Sequence, residues 1–170
     1  MDSKEKIWKQ KRVGKFTSSK LGDLMKKGTN GAEWGKTAIS YMNDVKYERR
    51  RGVPVRSRSN FNFEFGHENE PIAMEWLRKN YPLYEFKSCQ DDYDEIQFRT
   101  NPDAAGHGDS PDFYALNEDG SIAFVGEIKC PVDRGKIEDI FFSSKADVID
   151  EYSEQFCGHF IAHPEVNKLM

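Results

Sequence analysis

The sequence predicts a mixed α/β domain in which a central mixed sheet is flanked by helices. Two short strand-like segments on either side of residue 120 form the centre, and segments with apolar residues at helical spacing precede and follow them. A length of 170 residues is sufficient for one buried core. No internal repeat, low-complexity tract or linker divides the sequence, so we expect a single domain over residues 1–170.

The first predicted helix spans Leu21–Met25 and ends at Gly28. The hydroxyl residues Thr17–Ser19 can cap its start, and Arg12 and Lys15 come shortly before it. Free amides at a helix start bind anions, so a terminal 5′-phosphate is a suitable ligand for this segment. Ordinary capping without a ligand is the alternative.

A second helix is predicted from Ala32 to Glu48, followed by an exposed loop that carries the densest basic run of the chain. Residues 1–60 hold 16 Lys and Arg against 6 Asp and Glu, whereas the other 110 residues hold 9 against 23. This asymmetry indicates a basic face for a phosphate backbone, although a solvated basic loop is also compatible with it. The basic run comprises Lys46, Arg49, Arg50, Arg51, Arg56 and Arg58.

A third helix is predicted over Gly66–Tyr81, with an apolar stripe at spacings of three and four residues. Pro71 is expected in its first turn, where a missing N–H is harmless. Glu70 or Glu68 would then lie near the helix start, either facing the site described next or complementing the helix dipole. The apolar stripe consists of Ala73, Trp76, Leu77 and Tyr81.

The two central strands, Ser110–Leu116 and Ile122–Lys129, are joined by turn-forming residues and predict a hairpin. Pairing would bring Asp112 close to Glu127, and Lys129 would share the face of Glu127. Carboxylates are suitable ligands for Mg²⁺, and an amine beside them can polarise a water molecule. The pattern therefore predicts a site for phosphodiester hydrolysis, with a solvated edge hairpin as the alternative.

The last predicted helix runs from Ala146 to Ala162 and carries Tyr152 and Gln155 one turn apart. The Gln155 amide can orient a water molecule or a phosphate, although a surface glutamine needs no function. Further strands are expected at Leu83–Lys87 and Tyr93–Thr100. The four histidines form no metal-ligand or nucleophile pattern, and His107, between two glycines, is expected in a loop where it can touch substrate.

Four segments, in order, resemble the lambda-exonuclease and YqaJ-type branch of the PD-(D/E)xK nucleases, whose fold is the restriction-endonuclease-like core. They match the family patterns Arg-x-Gly-x-hydrophobic-Thr-x-Ser, Gly-x-x-x-Glu, Ser-Pro-Asp with Glu-x-Lys-Cys-Pro, and Tyr-x-x-Gln. The segments are Arg12-Val13-Gly14-Lys15-Phe16-Thr17-Ser18-Ser19, Gly66-His67-Glu68-Asn69-Glu70-Pro71, Ser110-Pro111-Asp112 with Glu127-Ile128-Lys129-Cys130-Pro131, and Tyr152-Ser153-Glu154-Gln155.

The resemblance implies a Mg²⁺-dependent 5′→3′ double-strand DNA exonuclease of phage-type recombination, in which Mn²⁺ can replace Mg²⁺. It further implies a trimer that threads DNA, and a single-strand annealing protein as a partner. Metal ligation is implied for Asp112, Glu127, the carbonyl of Ile128 and Glu70. Catalysis would also involve Lys129 and Gln155, and DNA or 5′-phosphate binding would involve Arg12, Ser19, Ser110, Arg49, Arg50, Arg51 and Tyr152.

Two features depart from the family pattern. Phe113 follows Pro111-Asp112 where the family usually has glycine, and the chain stops at Met170, soon after the Gln155 helix. A C-terminally short domain is therefore expected. A structure-specific or site-specific endonuclease of the same fold, or a non-catalytic nucleic-acid-binding module, remains an alternative.

Composition limits the other classes of protein. No apolar stretch approaches membrane-spanning length and the N-terminus carries no signal peptide, which predicts a cytoplasmic protein of a phage or prokaryotic host. The three cysteines, Cys89, Cys130 and Cys157, lack Cys-x-x-Cys spacing, so we expect reduced thiols and neither disulfides nor a cysteine-ligated metal.

Overall fold

The computed structural model describes residues 3–55 and 61–170, and helices surround two small sheets. The mixed α/β class is therefore confirmed, with the sheet divided into two parts in the described residues. No helix among these residues is long and apolar enough to cross a membrane. The helices are α1 (Ser3–Arg12), α2 (Leu21–Met25), α3 (Lys36–Arg51), α4 (Phe61–Asn80), α5 (Arg134–Phe142), α6 (Lys145–Glu151) and α7 (Ser153–Ala162).

The larger sheet is antiparallel, in the order β2 (Glu85–Ser88), β4 (Phe113–Leu116) and β5 (Ile122–Gly126). The predicted hairpin is confirmed as β4 and β5, since Phe113 pairs with Gly126. The smaller sheet is a parallel pair of β1 (Phe16–Thr17) and β3 (His107–Gly108). The predicted strand at Leu83–Lys87 corresponds to β2.

Aromatic side chains fill the space between α4 and the larger sheet. Phe86, Phe113 and Phe124 are almost fully buried, with ring centroids 5.6 and 6.1 Å from Phe86 to the other two. A Cβ atom on Gly126 would lie 1.9 Å from the Phe113 ring, so the glycine opposite makes room for the aromatic side chain. Phe113 thus points into the core. Gly126, its partner on the other strand of the hairpin, makes room for a phenylalanine at the position where the family usually has glycine.

The third predicted helix is longer than the sequence indicated, and the placement of Pro71 in its first turn is wrong. Helix α4 begins at Phe61 and carries Pro71 in its interior. The helix continues because its far half is held by tertiary packing: Met74 and Leu77 are buried and α4 packs on β2. Trp76, expected in the apolar stripe, is instead 56% exposed.

The last predicted helix is two helices, α6 and α7, interrupted at Tyr152, whose backbone lies at φ −109° and ψ 13°. Ser144 starts α6 with a reciprocal capping box to Asp147, a local signal that fixes its first turn. The predicted strand at Tyr93–Thr100 is also wrong. Within that segment only Arg99 forms a β-bridge, with Asp109, and the other residues have no strand structure.

The expected capping of the first predicted helix by a hydroxyl side chain does not occur. A 3-10 turn at Ser18–Lys20 precedes the five-residue α2, and neither start has a side-chain cap. Ser18 is buried and binds the ring of His107, which removes its hydroxyl from any capping role.

Helices α1 and α5 were not predicted from the sequence. The three cysteines are free thiols, as expected, and only Cys89 is buried.

Candidate active site

The end of the β4 and β5 hairpin brings Asp112 and Glu127 to neighbouring positions. The amide of Asp112 donates to the carbonyl of Gly126 at 3.1 Å, which continues the strand pairing by one residue. The amide of Ile128 donates to Asp112 Oδ2 at 2.5 Å. Because the backbone that follows Glu127 is thereby tied to the Asp112 side chain, the two carboxylates are held as one unit.

The electrostatics of these carboxylates reflect their burial and mutual repulsion. Burial and the charge of Glu127 raise the pKa of Asp112 well above its ordinary value. Burial would also raise the pKa of Glu127, but the nearby His159 and the hydrogen-bonded Lys129 hold it below its ordinary value. A cation bound between the two carboxylates would favour the ionised form of both.

Glu70 faces the same acidic group from α4, whereas Glu68 is exposed. Burial raises the pKa of Glu70, and the negative charge of Glu127 adds to the effect. Glu70 Oε2 accepts a long hydrogen bond of 3.4 Å from Gln90. Of the two acidic residues considered from the sequence, Glu70 is therefore the one placed near the hairpin end.

Lys129 joins the carboxylates to α7. Its Nζ donates to Glu127 Oε1 at 2.7 Å and to Gln155 Oε1 at 3.0 Å. The same ammonium lies 5.2 Å from the ring centroid of Tyr152, within cation–π distance. The break between α6 and α7 at Tyr152 therefore places the last predicted motif against the hairpin end.

The donor chemistry at this site fits Mg²⁺. The hard oxygen atoms available are the carboxylate oxygens of Asp112, Glu127 and Glu70. Lys129 and His159 face Glu127, and His67 lies 3.9 Å from Glu70. No three His, Cys, Asp or Glu side chains of the described residues stand as a preformed metal-binding group. Mg²⁺ commonly keeps several waters and takes one or two carboxylates, so a pair is sufficient.

Behind Glu127 lies a buried group of histidines that was not predicted from the sequence. His159 Nδ1 lies 2.7 Å from Asp109 Oδ2, and His163 Nε2 lies 3.2 Å from the same oxygen. His107 is in β3 and contacts Ser18 and the carbonyl of Gly158, so its assignment to a loop in contact with substrate is wrong. The only available signal was the spacing of Gln155 and His159, four residues apart on one helix face.

A second group of residues surrounds Arg12. The Arg12 guanidinium stacks 4.2 Å from the centroid of Trp8, whose Nε1 donates to Ser110 Oγ at 3.1 Å. Burial lowers the pKa of Arg12, and no described side chain pairs with it. Ser110 in turn donates its single hydroxyl proton to the carbonyl of Gln97. Trp8 was missed from the sequence, although it precedes Arg12 by one helical turn in α1.

The remaining predicted DNA-binding residues lie on other elements. Ser19 is exposed beside an open hollow of about 350 Å³ that also contains Glu151 and Glu154. Arg50 and Arg51 are exposed in the last turn of α3, while Arg49 donates to the carbonyl of Gly14 at 2.8 Å. Arg56 and Arg58, with the predicted loop around them, lie outside the described residues.

Comparison with known proteins gave matches at the level of structure. No family model and no curated protein matches the sequence. The crystal structure of LHK-Exo in complex with dAMP superposes with a TM-score of 0.68 at 26% identity, over 94% of this chain and 69% of that chain. An alkaline exonuclease (LHK-Exo) from Laribacter hongkongensis gives 0.67 at 23% identity over the same shares.

A third solved structure, a phage-related exonuclease from Haemophilus somnus 129PT, has a TM-score of 0.61 at 18% identity, over 87% of this chain and 62% of that chain. All three matches cover most of the present chain. The chain therefore has the PD-(D/E)xK nuclease fold, and its structural neighbours confirm the resemblance to the lambda-exonuclease and YqaJ-type branch.

Proposed function

We propose that this protein is a Mg²⁺-dependent DNA exonuclease that digests duplex ends. The observation that carries the proposal is the hairpin end, where Asp112 is bonded to the Ile128 amide and Glu127 to Lys129. The two LHK-Exo structures and the phage-related exonuclease share the overall fold, which supports a nuclease rather than a binding module.

In this proposal Asp112, Glu127, the carbonyl of Ile128 and Glu70 hold the metal ions, with Mn²⁺ as a substitute for Mg²⁺. Bound metal supplies charge neutralisation for the attacking and leaving oxygens of an in-line displacement. The side chains of the protein contribute by fixing the positions of those oxygens. The hydrogen bond from the Ile128 amide holds the Asp112 carboxylate beside the backbone that follows Glu127 before substrate arrives.

Lys129 is the group best placed to act on the attacking water. Its ammonium is held between Glu127 and Gln155, so it has one free N–H direction in which to donate. The Gln155 amide nitrogen remains available to orient the water or a phosphate oxygen. An ammonium in this position stabilises negative charge on a phosphate oxygen as that charge develops.

Arg12 is the proposed reader of a terminal 5′-phosphate. A largely buried guanidinium that forms no ion pair within 4.0 Å among the described residues, and that Glu48 and Asp109 influence only at longer range, is suited to a phosphate, which offers charge and bidentate acceptors. Ser110 contributes by fixing Trp8, and Trp8 by stacking on Arg12. Recognition of a 5′ end would give 5′→3′ digestion, as phage-type recombination requires.

The experiment is a cleavage assay on a linear duplex and on a covalently closed circle of the same sequence, with Mg²⁺ or with EDTA. Linear duplex should be digested only with metal, and the closed circle should persist. Asp112→Ala and Glu127→Ala should each abolish digestion, because each removes a metal ligand. Asp119→Ala, in the turn of the same hairpin, is the matched control and should digest normally.

Activity within about tenfold of wild type in either site variant would refute the site, since loss of a metal ligand removes much of the transition-state stabilisation. Cutting of the closed circle at a rate similar to that of the linear duplex would instead show an endonuclease. No cleavage of either substrate, with Mg²⁺ or Mn²⁺, would leave the nucleic-acid-binding module as the better description.

A further inference from the structure

A buried carboxylate and imidazole lie directly behind the Glu127 side chain. Asp109 and His159 are each only 1% exposed, and Asp109 Oδ2 lies 2.7 Å from His159 Nδ1. The second ring nitrogen of His159 faces Glu127 Oε2 at 3.4 Å, a charge contact without hydrogen-bond geometry. One imidazole therefore connects a buried carboxylate to a carboxylate of the candidate active site.

The two oxygens of Glu127 have different neighbours. Oε1 accepts a hydrogen bond from Lys129, and Oε2 faces His159. The side chain is only 12% exposed, and Lys129 and His159 are the basic side chains of the described residues that pair with its oxygens. Without His159, the Lys129 contact would hold one oxygen and leave the other free to turn.

The imidazole is itself held in place. Helix α7 packs against the 3-10 turn, where a Cβ atom on Gly158 would lie 2.6 Å from Ser18 Oγ. His107 Nε2 lies 3.0 Å from the carbonyl of Gly158 and 3.2 Å from Ser18 Oγ. Because these contacts fix the backbone next to His159, its ring has little freedom to move.

We propose that His159, held by Asp109, is a positioning residue that orients Glu127 for metal binding. The inference rests on the proposed function, because it assigns a role in the same site. Groups that orient a metal ligand typically affect metal affinity strongly although they do not touch the metal. Helix α7 would thus act on both members of the Glu127 and Lys129 pair, through His159 and through Gln155.

The test uses two substitutions of His159, each of which keeps a nitrogen atom near one of the two nitrogen positions of the imidazole ring. The amide nitrogen of asparagine stands near the position of Nδ1, and that of glutamine near Nε2. His159→Asn should keep the contact with Asp109 and lose the contact with Glu127. His159→Gln should keep the contact with Glu127. His163→Asn is the matched control, because His163 is equally buried and shares Asp109 but has no contact with Glu127.

Mn²⁺ binding without DNA is measured by electron paramagnetic resonance of the free ion, and cleavage of a linear duplex is measured in parallel. His159→Asn should weaken Mn²⁺ binding about 10–100-fold, with His159→Gln intermediate and His163→Asn similar to wild type. In the metal-free protein, Glu127→Gln should reduce the effect of His159→Asn on the melting temperature and leave that of His163→Asn unchanged.

The outcomes separate this inference from the proposed function. If wild type binds Mn²⁺ and cleaves, but His159→Asn binds as His163→Asn does, the positioning role is refuted and the nuclease stands. A nitrogen hyperfine coupling to bound Mn²⁺ that is present in wild type and absent in His159→Asn would also refute the positioning role, because it would show that His159 is a direct metal ligand. If wild type neither binds Mn²⁺ nor cleaves, the proposed function fails, and the inference with it.

Discussion

Lys129 is the residue at which the separate motifs meet. Its ammonium contacts Glu127 from the hairpin and Gln155 and Tyr152 from the region of α7. We expect Lys129→Ala to lower turnover by about 10²-fold or more, because an amine that stabilises developing charge acts chiefly in the transition state. Single-turnover digestion in Mg²⁺ measures this effect.

DNA binding in Ca²⁺ should survive the Lys129 substitution, and Lys136→Ala on α5 is the control, since Lys136 pairs only with the surface residue Glu151 among the described residues. Unchanged turnover together with weaker DNA binding would identify Lys129 as a contact to the DNA backbone.

Arg12 gives a second prediction at the residue scale. Charge-assisted bonds from arginine to phosphate are strong, so Arg12→Ala should cost about 1.5–3 kcal/mol of preference for a 5′-phosphate end. That corresponds to a loss of roughly ten- to a hundredfold in the ratio of rates on matched duplexes with 5′-phosphate and 5′-hydroxyl ends. Lys9→Ala, on the same helix and paired with Glu5, should leave the ratio unchanged.

Equal digestion of the two ends by wild type, with no effect of Arg12→Ala, would exclude the phosphate pocket. A loss of digestion on both ends alike would assign Arg12 to general DNA binding.

Among the elements, α7 depends on a close approach that only glycine permits. A Cβ atom on Gly158 would lie 2.6–2.7 Å from atoms of Ser18. Gly158→Ala should therefore lower the free energy of unfolding by about 1–3 kcal/mol, the range for overpacking. Denaturant unfolding of the metal-free protein measures it.

The matched control is another helical glycine. A Cβ atom on Gly66 in α4 would meet no atom within 4 Å, so Gly66→Ala should be neutral or stabilise by about 0.5–1 kcal/mol. Equal effects of the two substitutions would show that α7 is not packed against the 3-10 turn as described.

For the whole molecule, Asp109 is the buried charge that ties the elements together. Its carboxylate is faced by His159 and His163 at the end of α7 and by Ser18 of the 3-10 turn. Burial opposes ionisation, but these partners hold the pKa of Asp109 well below its ordinary value. The ionised form therefore contributes stability above the unfolded pKa of about 3.9, and this contribution is lost as pH falls below that value.

We expect Asp109→Asn to cost about 3 kcal/mol or more at pH ~7, as loss of one partner of a buried ion pair does. The difference in unfolding free energy between the two proteins should begin to narrow as pH falls below about 4, because the unfolded wild-type chain then takes up a proton at Asp109 while the folded protein, whose Asp109 pKa is much lower, does not. Unfolding in urea over a pH series measures the gap, and the exposed Asp44→Asn should follow wild type. A gap that stays constant with pH would show that Asp109 acts by shape and not by charge.

The sequence by itself determined the hairpin, the class of fold and the grouping of Asp112, Glu127 and Lys129. Short apolar runs and turn chemistry are local properties, and a hairpin joins residues that are already close in the chain. The roles of these residues stay predictions. For the same reason, β2 and the helical character of α3 and α4 were predicted, although their ends were not.

Only the tertiary structure decided where the helices break and which distant residues meet. Pro71 lies inside α4 because packing of Met74 and Leu77 on the sheet outweighs its local preference. The contact of Asp109 with His159 joins residues 50 positions apart, and that of Trp8 with Ser110 joins residues 102 positions apart. No local periodicity encodes such pairs, since they depend on how the finished elements pack.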